Sequence, residues 1–141
     1  MAFLLDTNVV SELRKADRTH PKVISWQANY PAAQQWISVI SLMEIRIGIV
    51  RAKDRDPEFA RVLDIWYQQR LLPAYARRII PVGLKIAEKR ADYEKRRTIS
   101  YSDALIGATA ATNHLSLVTR NTKDFVDLGI DLINPWEHSL N

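Results

Sequence analysis

Short apolar runs alternate along the chain with longer stretches in which apolar residues recur every three or four positions. The runs at 2–5, 36–40, 78–82, 116–119 and 131–133 have the length and branching of strands. The stretches between them carry helix signals. Thr7 or Asn8 can cap a helix through 9–13, and Pro21 opens a second that stops before Pro31. Ser41 can cap a third, with Glu44 at capping-box spacing, although Ile45-Arg46-Ile47-Gly48-Ile49 alternates like a strand. Asp56-Pro57 begins a long helix ending near Leu72-Pro73, and Gly83 precedes another over 85–97. Ser102 or Asp103 starts a helix over 104–112 whose small residues permit close backbone approach, and Asn121 or Thr122 begins a last short one through 125–128.

Strands alternating with helices predict an α/β fold, a single domain over 1–141 with a mainly parallel sheet of about five short strands flanked by helices. A parallel sheet is covered on both faces, and its ligands sit beyond the carboxyl ends of its strands. No repeat, low-complexity tract or Gly/Ser linker divides the chain. The 47% hydrophobic and 26% charged fractions are those of an ordinary globular domain. The first residues lack a basic start and a long apolar run, and Glu44 and Arg46 interrupt the longest membrane-span candidate, 36–50. The expectation is a cytoplasmic protein with no membrane attachment.

Attention to the strand ends finds acids. Asp6 follows Phe3-Leu4-Leu5 directly, and Glu44 lies about one helical turn beyond 36–40. Asp103 heads the small-residue helix, and Asp124 lies one turn past 117–119. Each has an ordinary alternative: Asp6 and Asp103 as helix N-caps, Glu44 as the partner of Ser41 in a capping box, Asp124 as a first-turn acid. Together, on a doubly wound sheet, they converge on one crevice. Clustered carboxylates repel unless they retain protons or share a cation. The chain has no Cys, and His20, His114 and His138 fall in unrelated places, so a hard dication held by oxygens, Mg²⁺ or Mn²⁺, suits the set. Phosphodiester hydrolysis is chemistry that such a site supports.

The net charge of +4 is unevenly spread. Between 77 and 97 stand Arg77, Arg78, Lys85, Lys89, Arg90, Lys95, Arg96 and Arg97 against Glu88, Asp92 and Glu94, a segment of +5 that leaves about −1 for the remainder. Such a stripe suits a polyanion, or else forms a solvated helix face with i,i+4 pairs. Trp26, Trp36, Trp66, Trp136, Tyr67 and Tyr75 can stack on bases but more often fill cores or dimer contacts.

Four blocks then carry a family resemblance. Phe3-Leu4-Leu5-Asp6-Thr7-Asn8-Val9-Val10-Ser11-Glu12-Leu13 resembles the opening of PIN-domain toxins of the VapC type. Val39 to Gly48, centred on Glu44, resembles their second motif, Ser102-Asp103-Ala104-Leu105-Ile106-Gly107 their third, and Leu117 to Phe125 their fourth. Residues 56–72 carry little of this signal. The resemblance implies Mg²⁺- or Mn²⁺-dependent endoribonuclease activity, homodimers, and inhibition by a cognate VapB-type antitoxin. It places Asp6, Glu44, Asp103 and Asp124 at the acidic positions, as catalytic and metal-holding residues, with Asp6 and Asp103 the direct ligands and Glu44 either a third ligand or the base. Thr7, Asn8, Thr119 and Asn121 match supporting polar positions. Arg46, Arg120, Lys85 and Lys89 are candidates for RNA phosphate contacts, and Arg46 and Arg120 can equally counter-charge the acids. Two other classes stay open: a Mg²⁺-dependent phosphatase-like enzyme, disfavoured because Asn8 stands two residues after Asp6, and a non-catalytic module whose acids bind a basic partner.

Overall fold

The computed structural model describes residues 1–96 and 98–140; Arg97 of the basic segment and Asn141 lie outside the described residues. Five strands, β1 (Phe3–Leu5), β2 (Gln35–Ser38), β3 (Ile79–Ile80), β4 (Ser116–Val118) and β5 (Leu132–Ile133), form one sheet in the order β3-β2-β1-β4-β5. Every pairing is parallel, with Leu4 opposite Trp36 on one side and Leu117 on the other. The chain builds outward from β1 through β2 to β3, then returns to add β4 and β5 on the opposite side. The gap between β1 and β4 is therefore the topological switch point, where a parallel sheet opens a crevice.

The helices are α1 (Thr7–Leu13), α2 (Pro21–Ala28), α3 (Val39–Arg55), α4 (Pro57–Trp66), the short α5 (Leu72–Ala74), α6 (Leu84–Asp92) and α7 (Tyr101–Thr112). They cover both faces, and the two-residue strand period sorts the core accordingly. Leu4 and Leu117 join Ile86, Ile106 and Phe125 under α6 and α7. Phe3, Leu5, Ile37 and Val118 join Val9, Trp26, Ile49 and Tyr67 under α1 to α4. Phe3, Leu4 and Leu5 are fully buried, each contributing about 1.5–3 kcal/mol of apolar burial. Trp26 and Tyr30 pack on the Phe3 ring with centroids at 5.2 and 4.6 Å. Gly107 lets α7 settle close: a Cβ there would lie 2.9 Å from Leu128 Cδ1.

Several expected boundaries move, each for a local reason. The third helix begins at Val39, capped by Ser38 Oγ accepting from the Ile40 amide at 3.0 Å. Val39 and Ile40 are thus helical rather than the end of a strand, and Ser41 is a buried interior residue rather than a cap. The run 45–49 is helical as well. The first helix is capped by Asp6 instead of Thr7 or Asn8. The small-residue helix is capped by Ser100, whose Oγ accepts from the Asp103 amide at 3.1 Å, so neither Ser102 nor Asp103 is its cap. The helix after Asp56 widens to a π turn over Tyr67–Leu71 just before Pro73, a residue that cannot continue a regular helix undisturbed. The basic helix ends at Asp92, short of 97.

Candidate active site

At the switch point the first residue after β1, Asp6, meets the first after β4, Thr119. The Asp6 amide donates to Val118 O at 2.9 Å, which fixes the two strand ends together. Both side chains are buried, Asp6 at 3% exposure and Thr119 at 0%. Asp6 Oδ1 accepts from the Thr7 amide at 2.8 Å and Oδ2 from Thr119 Oγ1 at 2.8 Å. Asn8 Nδ2 donates at 3.3 Å to both Asp6 Oδ2 and Thr119 Oγ1, while Asn8 Oδ1 accepts from the Arg120 amide. Thr119 Oγ1 also accepts from the Asn121 amide at 3.0 Å. The polar residues of the first and fourth motifs are thus one network that fixes the orientation of one carboxylate.

Glu44 arrives from the second turn of α3. Thr7 Oγ1 donates to Glu44 Oε1 at 2.5 Å and is hydrogen-bonded to Ser41 Oγ at 2.9 Å. This is the use to which Ser41 is put, and no signal in the sequence distinguished it from a cap. Asp103, on the first turn of α7, completes the third side. Asp6, Thr7, Asn8, Glu44, Ser100, Asp103 and Asn121 line one open cavity of about 350 Å³. Asp124 stands at its edge, exposed and absent from the lining, though near enough to raise Asp103 electrostatically.

The electrostatics show the strain in this arrangement. Burial, against the opposing hydrogen bonds from Thr119 and Thr7 and with added repulsion from Asp103 and Glu44, pushes Asp6 up to about 6. Asp103 is raised too, by burial first and then by Glu44 and Asp124. Among the described residues no Lys, Arg or His forms an ion pair with Asp6, Glu44, Asp103 or Asp124. No set of three His, Asp or Glu side chains among those residues is arranged to cage an ion unaided. Mg²⁺ does not need such a cage, because it is commonly held by one or two carboxylates and keeps several waters. A desolvated, oxygen-only donor set without a counter-cation fits such an ion.

None of the predicted phosphate-binding cations lines the acid cavity. Arg46 donates to Asp64 Oδ1 at 2.7 Å and lies over the Tyr67 ring at 5.4 Å. Arg120, exposed beside the network, lies over Trp136 at 5.0 Å. Lys85 is exposed on α6, and Lys89 is 4.0 Å from Asp92. Trp26 and Tyr67 are buried in the core. A second, mostly apolar groove of about 450 Å³ between α1, α3 and α4 shares Thr7 and Glu44 with the acid cavity.

The sequence pattern of the PIN domain matches residues 3–130, which take in the whole network just described. The chain belongs to the PIN domain family. VapC ribonuclease Y4jK of Sinorhizobium fredii is 33% identical over 142 residues, covering 96% of this chain and 98% of that relative. The PIN fold here matches a crystal structure of FitAcB from Neisseria gonorrhoeae with a TM-score of 0.84 and 30% identity, over 96% of this chain and 99% of that one. It matches a toxin–antitoxin complex from Klebsiella pneumoniae with a TM-score of 0.68 and 28% identity, over 95% and 98% of the two chains. No described helix of this PIN domain is long and apolar enough to cross a membrane.

Proposed function

We propose that this PIN domain is a Mg²⁺- or Mn²⁺-dependent endoribonuclease, the toxin of a toxin–antitoxin pair, acting in the cytoplasm and neutralised by a VapB-type antitoxin. The observation that carries the reading is a buried aspartate at the switch point, faced by two further acids and by no counter-cation. Kinship with a VapC ribonuclease and with a fold seen in toxin–antitoxin complexes supplies the substrate class and the partner.

Asp6 and Asp103 would hold the ion, with Asp124 acting from the rim. A divalent ion bound there supplies positive charge to offset the developing charge on a phosphoryl group and acidifies nearby water. The protein's own work is to aim and exclude. The Thr119, Asn8 and Thr7 donors fix both oxygens of Asp6. Thr7 and Ser41 fix Glu44, which either joins the ligands or accepts the proton of the attacking water. Asn8, committed to three hydrogen-bond partners, holds its neighbours rather than acting as a second acid. Arg120 is the cation best placed to meet a phosphate, with Lys85 and Lys89 farther along α6. Arg46 would first have to release Asp64.

The shared edge between acid cavity and apolar groove lets a protein seated in that groove cover Thr7 and Glu44, a direct route to neutralisation by the antitoxin. Homodimerisation would draw on Met43, Ile47 and Val50 of α3 and Val62 and Ile65 of α4, all exposed and at helical spacing. The reading is tested with Asp103→Asn. RNA degradation in Mg²⁺ should fall at least about 100-fold, the scale of losing one transition-state electrostatic group, and Mn²⁺ binding should weaken in calorimetry while the circular dichroism is unchanged. Full cleavage by that variant would refute the assignment.

A further inference from the structure

Tyr101 is the most exposed aromatic residue of the described chain, at 71%. It is the first residue of α7, between Ser100, which lines the acid cavity, and Ser102. One face of its ring is covered: the Arg90 guanidinium carbon lies 4.1 Å from the ring centroid. Arg90 is itself held in place, its side chain only 12% exposed and its Nη1 donating to Glu94 Oε2 at 2.7 Å. Its buried Nε has no hydrogen-bond partner, so the guanidinium is held by the Glu94 ion pair at one end and by the ring beneath its plane. With one face stacked and 71% of the residue still exposed, the opposite face of the ring is open to solvent.

Tyr101, Arg90, Glu94, Lys95, Arg96 and Ile99 line a cavity of about 610 Å³, within the size range of small-molecule sites. It holds three cations and one acid. Arg90 is ion-paired and Arg96 Nη1 donates to Val126 O, whereas Lys95 has no ion-pair partner among the described residues. Ile99 and Tyr101 face this basic cavity while Ser100 between them faces the acidic one. The two cavities are therefore neighbours across a three-residue wall. An acid cavity repels the polyanion it is to cleave, so cationic and stacking contacts immediately beside it are where substrate binding must be recovered.

We infer that Tyr101 is a platform on which an unpaired nucleobase next to the scissile phosphate stacks, with Arg90 as the positioning residue that fixes the ring and Lys95 meeting the adjoining backbone phosphate. The inference rests on the nuclease reading for the identity of the polymer, RNA, and goes beyond it in requiring single-stranded substrate at this point.

The test separates the two. A labelled random 12-nucleotide single-stranded RNA is bound in EDTA, where cleavage is stopped, and followed by fluorescence anisotropy; the same pool is then cleaved in Mg²⁺. Tyr101→Ala should weaken binding about 5- to 150-fold, the effect of one stacked base, and should raise KM with little change in kcat. Tyr101→Phe and Tyr101→Trp should bind as the unchanged protein does, because the ring face and not the hydroxyl is used. Binding of an RNA duplex of equal length should be indifferent to Tyr101, since its bases are already stacked. Arg90→Gln should reproduce part of the loss, and Lys95→Ala should lower the dependence of binding on salt. Unchanged single-strand affinity in Tyr101→Ala, or a Tyr101→Phe variant as weak as Tyr101→Ala, overturns the platform even if cleavage is robust. Loss of binding in Tyr101→Ala from a protein that does not cleave would sustain the platform and sink the nuclease. A protein that neither binds nor cleaves RNA overturns both, and one that cleaves in Mg²⁺ without binding the single strand in EDTA overturns the platform alone.

Discussion

Replacing Asp6 by Asn should make the metal-free protein more stable while it destroys the site. Asp6 titrates at about 6 in the fold against 3.8 for an ordinary aspartate. At about 1.4 kcal/mol per pKa unit, that difference means that holding the ionised form costs the native state about 3 kcal/mol. The sign follows from linkage. The folded chain binds the Asp6 proton more tightly than the unfolded chain, so stability is highest below about 4, falls as pH rises between about 4 and 6, and levels off above. Asn carries no charge to desolvate and is as good an N-cap as Asp. It cannot, however, accept at both positions. One of its atoms becomes an amide donor facing either the Thr7 amide or Thr119 Oγ1, which already accepts from Asn8 and Asn121. Losing that hydrogen bond costs about 1 kcal/mol, leaving a net gain of about 2 kcal/mol at pH 8.

Urea unfolding in EDTA at pH 8 and at pH 4.5, for both proteins, measures this directly. The difference between the two isolates Asp6 from the other titrating groups. Asp6→Asn should be about 2 kcal/mol the more stable at pH 8, and the gap should shrink or reverse at pH 4.5. Adding millimolar Mg²⁺ should stabilise the unchanged protein and leave the variant where it was, because an ion that binds only the folded state adds to stability by mass action. A variant less stable than its parent at pH 8, or a gap that ignores pH, would show that Asp6 is not an uncompensated buried charge.

Two further outcomes follow from the same network and its surroundings. Thr7→Val keeps the shape of α1 but removes the donor to Glu44, and should lower cleavage by about 10-fold or more, as loss of a supporting contact does at metal sites, with a stability change under about 2 kcal/mol in thermal unfolding. Glu12 is depressed below its ordinary value because the His20 amide and Lys15 overcome its burial. Its contribution is therefore present above about 4.5 and lost as pH falls. Glu12→Gln should cost about 1.5 kcal/mol at pH 7, and its stability curve should rejoin the parent's in acid; curves that stay parallel to low pH would contradict this.

The sequence displayed the sheet and the acids better than the joints between them. Strands β1 and β4 were legible because their cores are short, apolar and followed at once by polar residues, and the parallel order followed from helices between them. The start of α3 was not, because Ser38 and Ser41 are both capping residues three apart, and the β-branched Val39-Ile40 between them favours strand as readily as helix. In the fold Ser38 is the cap, and Ser41, hydrogen-bonded to Thr7 34 residues away, is interior. The cap of α7 had a signal of its own in the spacing Ser100-Tyr101-Ser102-Asp103, but Ser102 and Asp103 are equally good caps on local grounds. Asp124 belongs to the fourth block by pattern, yet the 3-10 turn over Thr122–Phe125 leaves it on the rim while burying Phe125. Tyr101 carried no periodicity, and its meaning depends on Arg90, which the sequence shows only as one cation in a stripe.

These features have a common cause in where the sheet puts its charge. An acid at an edge strand would be solvated, would titrate normally and would bind a dication weakly. Asp6 sits instead between the two central strands, walled by Val118, Thr119 and the start of α1, so water solvates it poorly and the field of Asp103 and Glu44 is weakly screened. The same desolvation that raises its proton affinity would favour any small cation able to enter, and above about 6 the proton is released. The two hydrophobic clusters on either face of β1 supply the stability that this placement gives up. A site of this kind can therefore sit only where packing on both faces is strong enough to hold the carboxylate in place before the ion arrives. That requirement explains why the acids lie at the centre of a parallel sheet, while Arg90 on α6 and Tyr101 on the first turn of α7 lie outside it.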